Sequence, residues 1–64
     1  MNEIPVNRGD ILDLNCESVG TKGDGICRYE NFVVIVPGME IGTSHRVKIT
    51  KVLNNLSFGE LYYD

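Results

Sequence analysis

Phe32 and Arg28 stand on either side of a two-residue break, Glu30-Asn31, between two apolar runs. A ring beside a guanidinium is the combination that holds single-stranded nucleic acid, because the ring stacks on a base while the cation follows the phosphates. Pairing across the break sets Tyr29 opposite Phe32 and Arg28 opposite Val33, which makes ring and guanidinium near neighbours. Phe32 fits equally well as an ordinary core residue, and both readings stand on the sequence. Upstream, Lys22 sits among Gly20, Gly23 and Gly25, where a backbone with little steric bulk can approach a phosphate and adapt to an irregular strand. Downstream, Arg46 and Lys48 alternate on one side of a segment that continues to Lys51; with Arg8 they either form a basic stripe or simply mark the solvated side of a sheet. Asp13, Asn15 and Glu17 alternate on another segment and are expected to point elsewhere, leaving the two signs segregated.

Other chemistries find little support. His45 is the single histidine, with no serine or cysteine motif and no second metal ligand at helical spacing, so it reads as a partly covered residue at a barrel end. Cys16 and Cys27 are too far apart in sequence for a CxxC knuckle, and no metal or other cofactor is expected. A symmetric hairpin pairs positions summing to 43 and brings these two cysteines face to face. They read as reduced core thiols in a reducing cytosol, although the pairing would also permit a disulfide. The glycine-rich loop lacks the Gly-Lys-Ser/Thr of a nucleotide-binding loop, and Asp13 and Glu17 have no general-acid partner. No catalytic residue is assigned.

The elements that must position these groups are short and extended. Residues 9–17 alternate, with Leu12, Leu14 and Cys16 on one side; residues 18–25 read as a loop; residues 26–29 and 32–36 form the arms of a hairpin. Pro37-Gly38 stops the third strand, residues 46–52 alternate again, Asn54-Asn55 turns the chain, and residues 56–63 make a last strand. Nothing repeats at 3.6 residues. Five short strands predict an all-β domain, and closure into a barrel removes edges that so small a sheet could not cover. OB-like and SH3-like barrels both satisfy this pattern. Residues 1–8, with Pro5 among them, read as a flexible N-terminal arm before a domain over residues 9–64.

A chain of 64 residues buries only about 60% of its unfolded surface, which favours a binding face over a walled catalytic pocket. The 42% apolar and 23% charged fractions fit an ordered domain, no run approaches the ~20 apolar residues of a membrane span, and a cytoplasmic monomer is expected. Nine acidic residues against six basic give a net charge of −3, so phosphate attraction must come from how the charges are distributed.

The run from Gly23-Asp24-Gly25-Ile26-Cys27-Arg28 through Phe32-Val33-Val34-Ile35-Val36-Pro37-Gly38 resembles the TRAM signature, a G-x-G-V-A-R strand, a tight turn and G-F-V-V-F-V-P-G. Gly42 ahead of Val47-Lys48-Ile49-Thr50-Lys51-Val52, and Phe58-Gly59-Glu60-Leu61 in the closing strand, extend the resemblance over nearly everything from Gly9 onward. Asn31 stands in place of a turn glycine, Ile35 in place of an aromatic, and Thr43 and His45 where the family often has Glu and Val. The resemblance implies a small five-stranded OB-like barrel that binds RNA, appended to RNA-modifying enzymes or free-standing in small archaeal proteins. The free-standing form, with proposed roles in RNA chaperoning and cold response, is the closer analogue. RNA-binding residues are then expected to be Lys22, Gly23, Gly25, Arg28, Phe32, Arg46, Lys48 and Lys51, with single-stranded or loop RNA as partner. Phe58, Tyr62 and Tyr63 read as core or rim, one of them able to stack. A protein-interaction barrel of the SH3-like kind is the rival reading, suited to the acidic balance and the tyrosines.

Overall fold

Alternation of apolar and polar residues is realised in five strands: β1 (Ile11–Val19), β2 (Asp24–Tyr29), β3 (Phe32–Pro37), β4 (Ser44–Val52) and β5 (Ser57–Leu61). They close a barrel in the order β1-β2-β3-β5-β4, antiparallel except where β3 runs parallel to β5, in a computed structural model that describes residues 3–64. This is the all-β, OB-like arrangement expected from the pattern. Leu14, Cys16, Cys27, Val34, Val36, Val47 and Ile49 supply its buried inward positions.

Several boundaries differ from expectation. β1 runs on to Val19 and β2 starts at Asp24, so the loop expected over residues 18–25 shrinks to residues 20–23. Backbone N–H groups of Gly20 and Gly23 donate to the carbonyls of Asp24 and Gly20, closing a tight turn. Cys16 does pair with Cys27, but a bulge then shifts the register, so Ser18 faces Ile26 and Val19 faces Gly25. Both thiols are free and buried. The N-terminal segment also departs from a simple arm: Met1 and Asn2 lie outside the described residues, but Val6 is only 1% exposed and belongs to the core. Gly9 donates to the carbonyl of Ile49, whose own N–H donates to Asp10, so this segment is stitched to β4 before β1 begins.

Close approach dictates two glycines. A Cβ at Gly59 would lie 2.5 Å from a methyl of Val47, and one at Gly25 would lie 2.8 Å from Met39. The turn between β2 and β3 has φ of +49° at Glu30 and +69° at Asn31, the left-handed pair that a type I′ hairpin requires. Asn31 suits that conformation; Glu30 occupies it without the short side chain that makes it tolerable.

Candidate nucleic-acid interface

Strand parity decides which side chains reach solvent. On β2, Gly25 and Cys27 are buried, so Ile26 and Arg28 point outward; on β3, Val34 and Val36 are buried, so Val33 and Ile35 point outward. The pairings Tyr29 with Phe32 and Arg28 with Val33 match those read from the sequence. They also separate the expected neighbours by face. Phe32 is half-buried and packs with Tyr29 against the core, while Arg28 is exposed on the opposite side of the sheet.

The β4 cations are reached through a second irregularity. Val47 and Ile49 point inward and Arg46 and Lys48 outward, and plain alternation would send Lys51 inward after them. A bulge between Ile49 and Lys51 changes this: Lys51 lies opposite the outward residue Phe58, exposed, while Val52 returns to the core. Lys51 therefore shares a face with Lys48. Thr50, the extra residue, donates its hydroxyl to the Phe58 carbonyl at 3.3 Å.

Charges are less segregated than the alternation of β1 and β4 implies. These strands are neighbours in the closed barrel, and Asp13 lies directly opposite Arg46. The guanidinium of Arg46 sits 3.6 Å from Asp13 and 3.3 Å from Asp64, two carboxylates to one cation. The expectation that the acidic side of β1 points away from the basic strand is thus corrected, because closure joins the first strand to the fourth. Arg28, Lys22, Lys48 and Lys51 form no ion pair among the described residues. Lys48 has Glu60 as its cross-strand neighbour, whereas Lys51 faces Phe58 and Arg28 faces Val33.

Lys22 and Gly23 are exposed on the β1–β2 turn, where Gly23 adopts φ of +84°. Gly25 lies inside β2, against Met39 and Cys16, and its lack of a side chain is accounted for by packing. Gly20 borders the patch, its Cβ direction ending 4.0 Å from the Ile26 side chain. Phe58, expected in the core or at the rim with one of three rings able to stack, is the ring that reaches the outer face. Its neighbours Ser57 and Gly59 are buried, so its ring is half-buried on the outer face beside Ile35. Parity within Ser57-Phe58-Gly59 carried that signal, since small residues on both sides mark the inward positions.

At the end of the barrel away from the β2–β3 hairpin a cleft of about 260 Å³ is lined by Gly38, Met39, Thr43, His45, Leu61 and Tyr63, together with Glu40. His45 is half-buried there, as expected for a barrel-end residue, its ring edge-on to Tyr63 at 4.9 Å. Its Nδ1 lies 2.7 Å from the carbonyl of Arg46, an oxygen that can only accept, which makes Nδ1 the protonated nitrogen. No cluster of three metal-ligating side chains occurs among the described residues. No helix among them is long and apolar enough to cross a membrane.

A small closed barrel with one mixed apolar and basic outer face defines a nucleic-acid-binding module of the OB-like class. The TRAM domain profile matches residues 5–62, and the chain belongs to that family, a family of small RNA-binding modules. An uncharacterized protein of Methanocaldococcus jannaschii is 42% identical over 57 residues, covering 89% of this chain and 74% of its own. Ribosomal RNA large subunit methyltransferase E of Haloquadratum walsbyi is 40% identical over 89% of this chain, but the match covers 22% of the enzyme. For translation initiation factor 2 subunit beta of Methanosarcina mazei the identity is 40% over 86% of this chain, and the share of that protein is 27%. The chain thus spans only about a quarter of these larger relatives, which carry the domain as one part. A solution structure of a conserved protein from Methanococcus maripaludis superposes with a TM-score of 0.90 at 38% identity, over 95% of this chain and 87% of that one.

Proposed function

We propose that this chain binds single-stranded or locally unpaired RNA without catalysing a reaction, and that it acts as an RNA chaperone in the cytoplasm. The observation that carries the reading is the outer face of β2, β3, β5 and the end of β4, where Arg28 and Lys51 have no acid opposite them and border half-buried apolar side chains. Bases splayed from a single strand can stack on such a surface, whereas a rigid duplex presents mostly phosphate to a protein of net charge −3.

Few cations and a net negative charge favour weak, quickly reversed binding, which suits a chaperone that must release RNA after loosening it. Cold stabilises RNA secondary structure, so a role in cold response follows from the same property. Lys22 and Gly23 on the short turn would clamp the backbone, with Arg28, Lys48 and Lys51 supplying further phosphate contacts. A fluorescence-anisotropy titration with a labelled unstructured RNA, alongside a beacon-opening assay at low temperature, tests both parts. Binding accompanied by faster opening of the hairpin beacon is expected. Binding without any effect on the beacon would remove the chaperone role, and absence of binding at low salt would remove the function altogether.

A further inference from the structure

The strand register draws one row across four strands of the barrel. Ile26 pairs with Ile35, Ile35 with Phe58, and Phe58 with Lys51. All four point outward, and the three apolar members are half-buried rather than covered. An isolated apolar side chain on a surface is ordinary, but a contiguous apolar row ending in a lysine is a directional feature. Phe58 is the one aromatic ring at an outward position of the five strands, since Tyr29 and Phe32 pack inward against the core.

Charge is distributed unevenly about this row. Arg28 flanks it on the side of the β2–β3 hairpin, and Lys51 ends it; on the other side Asp24 and Glu60 occupy outward positions, with Lys48 opposite Glu60 as the one cation there. A strand lying here would keep its phosphates towards Arg28 and Lys51 and away from the two carboxylates, with bases over Ile35 and Phe58. Gly20 abuts Ile26 at the far end of the row, so the turn carrying Lys22 adjoins it. In this chain Ile35 is aliphatic, and the ring available to a base stands one strand further on.

We propose that Phe58, not Phe32, is the base-stacking platform of this domain, and that single-stranded RNA crosses the barrel along Ile26, Ile35 and Phe58 with Lys51 and Arg28 at its phosphates. The proposal rests on the RNA-binding function argued above. Stacking is sequence-tolerant because every base has a π-face, so the platform would take an unpaired base of any identity.

The chain contains three tyrosines but no tryptophan, so Phe58→Trp installs a single tryptophan at the platform, which is excited selectively at wavelengths where tyrosine does not absorb. Titration with an unstructured RNA of about 12 nucleotides, within the span of one small barrel, is expected to quench its emission as bases stack. Phe58→Leu keeps the apolar contacts but removes the π-face, and should weaken binding by between about 5-fold and 100-fold without changing the salt dependence. Phe32→Leu should leave the affinity of the folded protein within about 2-fold of the parent, in line with an inward ring. If the parent binds RNA but Phe58→Leu binds as tightly and Phe58→Trp is not quenched, the platform is elsewhere and the proposal is overturned while RNA binding survives. If the parent does not bind this RNA even at low salt, RNA binding itself fails and the platform falls with it. Should Phe58→Leu melt below the assay temperature, the quench in Phe58→Trp, with its larger ring, still decides.

Discussion

Arg46 separates an account based on local charge from one based on counting cations. Two carboxylates, Asp13 and Asp64, lie within 3.6 Å and 3.3 Å of its guanidinium, so a phosphate arriving there meets a site with one excess negative charge. These pairs are solvent-exposed and worth at most about 1 kcal/mol each, so the effect lies in the sum of charges and not in the strength of either bond. Each phosphate contact on a single strand contributes a slope of about −0.7 to log K against log salt, which is about 2.6-fold in affinity between 50 and 200 mM salt. Arg46→Ala should leave the slope of RNA binding within error of the parent. Lys51→Ala should flatten it by about 0.7, with the mutant and parent curves converging at high salt. The combined substitution Asp13→Asn with Asp64→Asn should release Arg46 and steepen the slope by up to about 0.7. Fluorescence anisotropy at five or six salt concentrations measures all of these. If Arg46→Ala flattens the slope as much as Lys51→Ala while the double asparagine variant does nothing, the local-charge argument is refuted.

Three predictions concern the fold that carries the face. Val6→Ala should destabilise the domain by about 2 kcal/mol in urea unfolding, because its side chain is only 1% exposed; a loss below about 0.5 kcal/mol would mean the segment does not pack on the barrel. Glu30→Asn should stabilise by about 0.5 to 1 kcal/mol, raising Tm by about 4 °C, by relieving a φ of +49° in the hairpin; an unchanged or lowered Tm would contradict the strain argument. Burial, then the neighbouring Cys16, pushes the Cys27 thiol from its ordinary 9.0 up to about 11. Because the fold holds this thiol protonated, its contribution is fully present below pH 9.0 and is lost as pH rises towards 11, up to about 2 to 3 kcal/mol. Cys27→Ala should remove that alkaline drop in a urea titration series, and an unchanged drop would assign it to other groups.

Much of this was legible in the chain because hydrophobic alternation and turn chemistry act locally. The pairing of Cys16 with Cys27, Tyr29 with Phe32 and Arg28 with Val33 follows from counting across two hairpins, and Asn31 announces its positive φ. What escaped depends on closure and on irregularity. The bulge at Thr50 turns Lys51 outward, an effect no alternation rule contains, and the one after Cys16 shortens the loop. Asp13 meets Arg46 only because the barrel joins β1 to β4. Val6 sits before any periodic segment, so its burial has no local signature. The placement of Phe58 was readable from the small residues around it, but a phenylalanine in a closing strand is ordinarily core.

Preference for unpaired RNA over duplex is measured by a side-by-side anisotropy titration of the protein with a labelled unstructured RNA and a duplex DNA of equal length at about 100 mM salt. Measurable RNA binding with a salt slope near −2 to −3, from about three or four phosphate contacts, is expected together with much weaker duplex binding. Equal or tighter binding to the duplex, or RNA affinity that does not respond to salt, would contradict it.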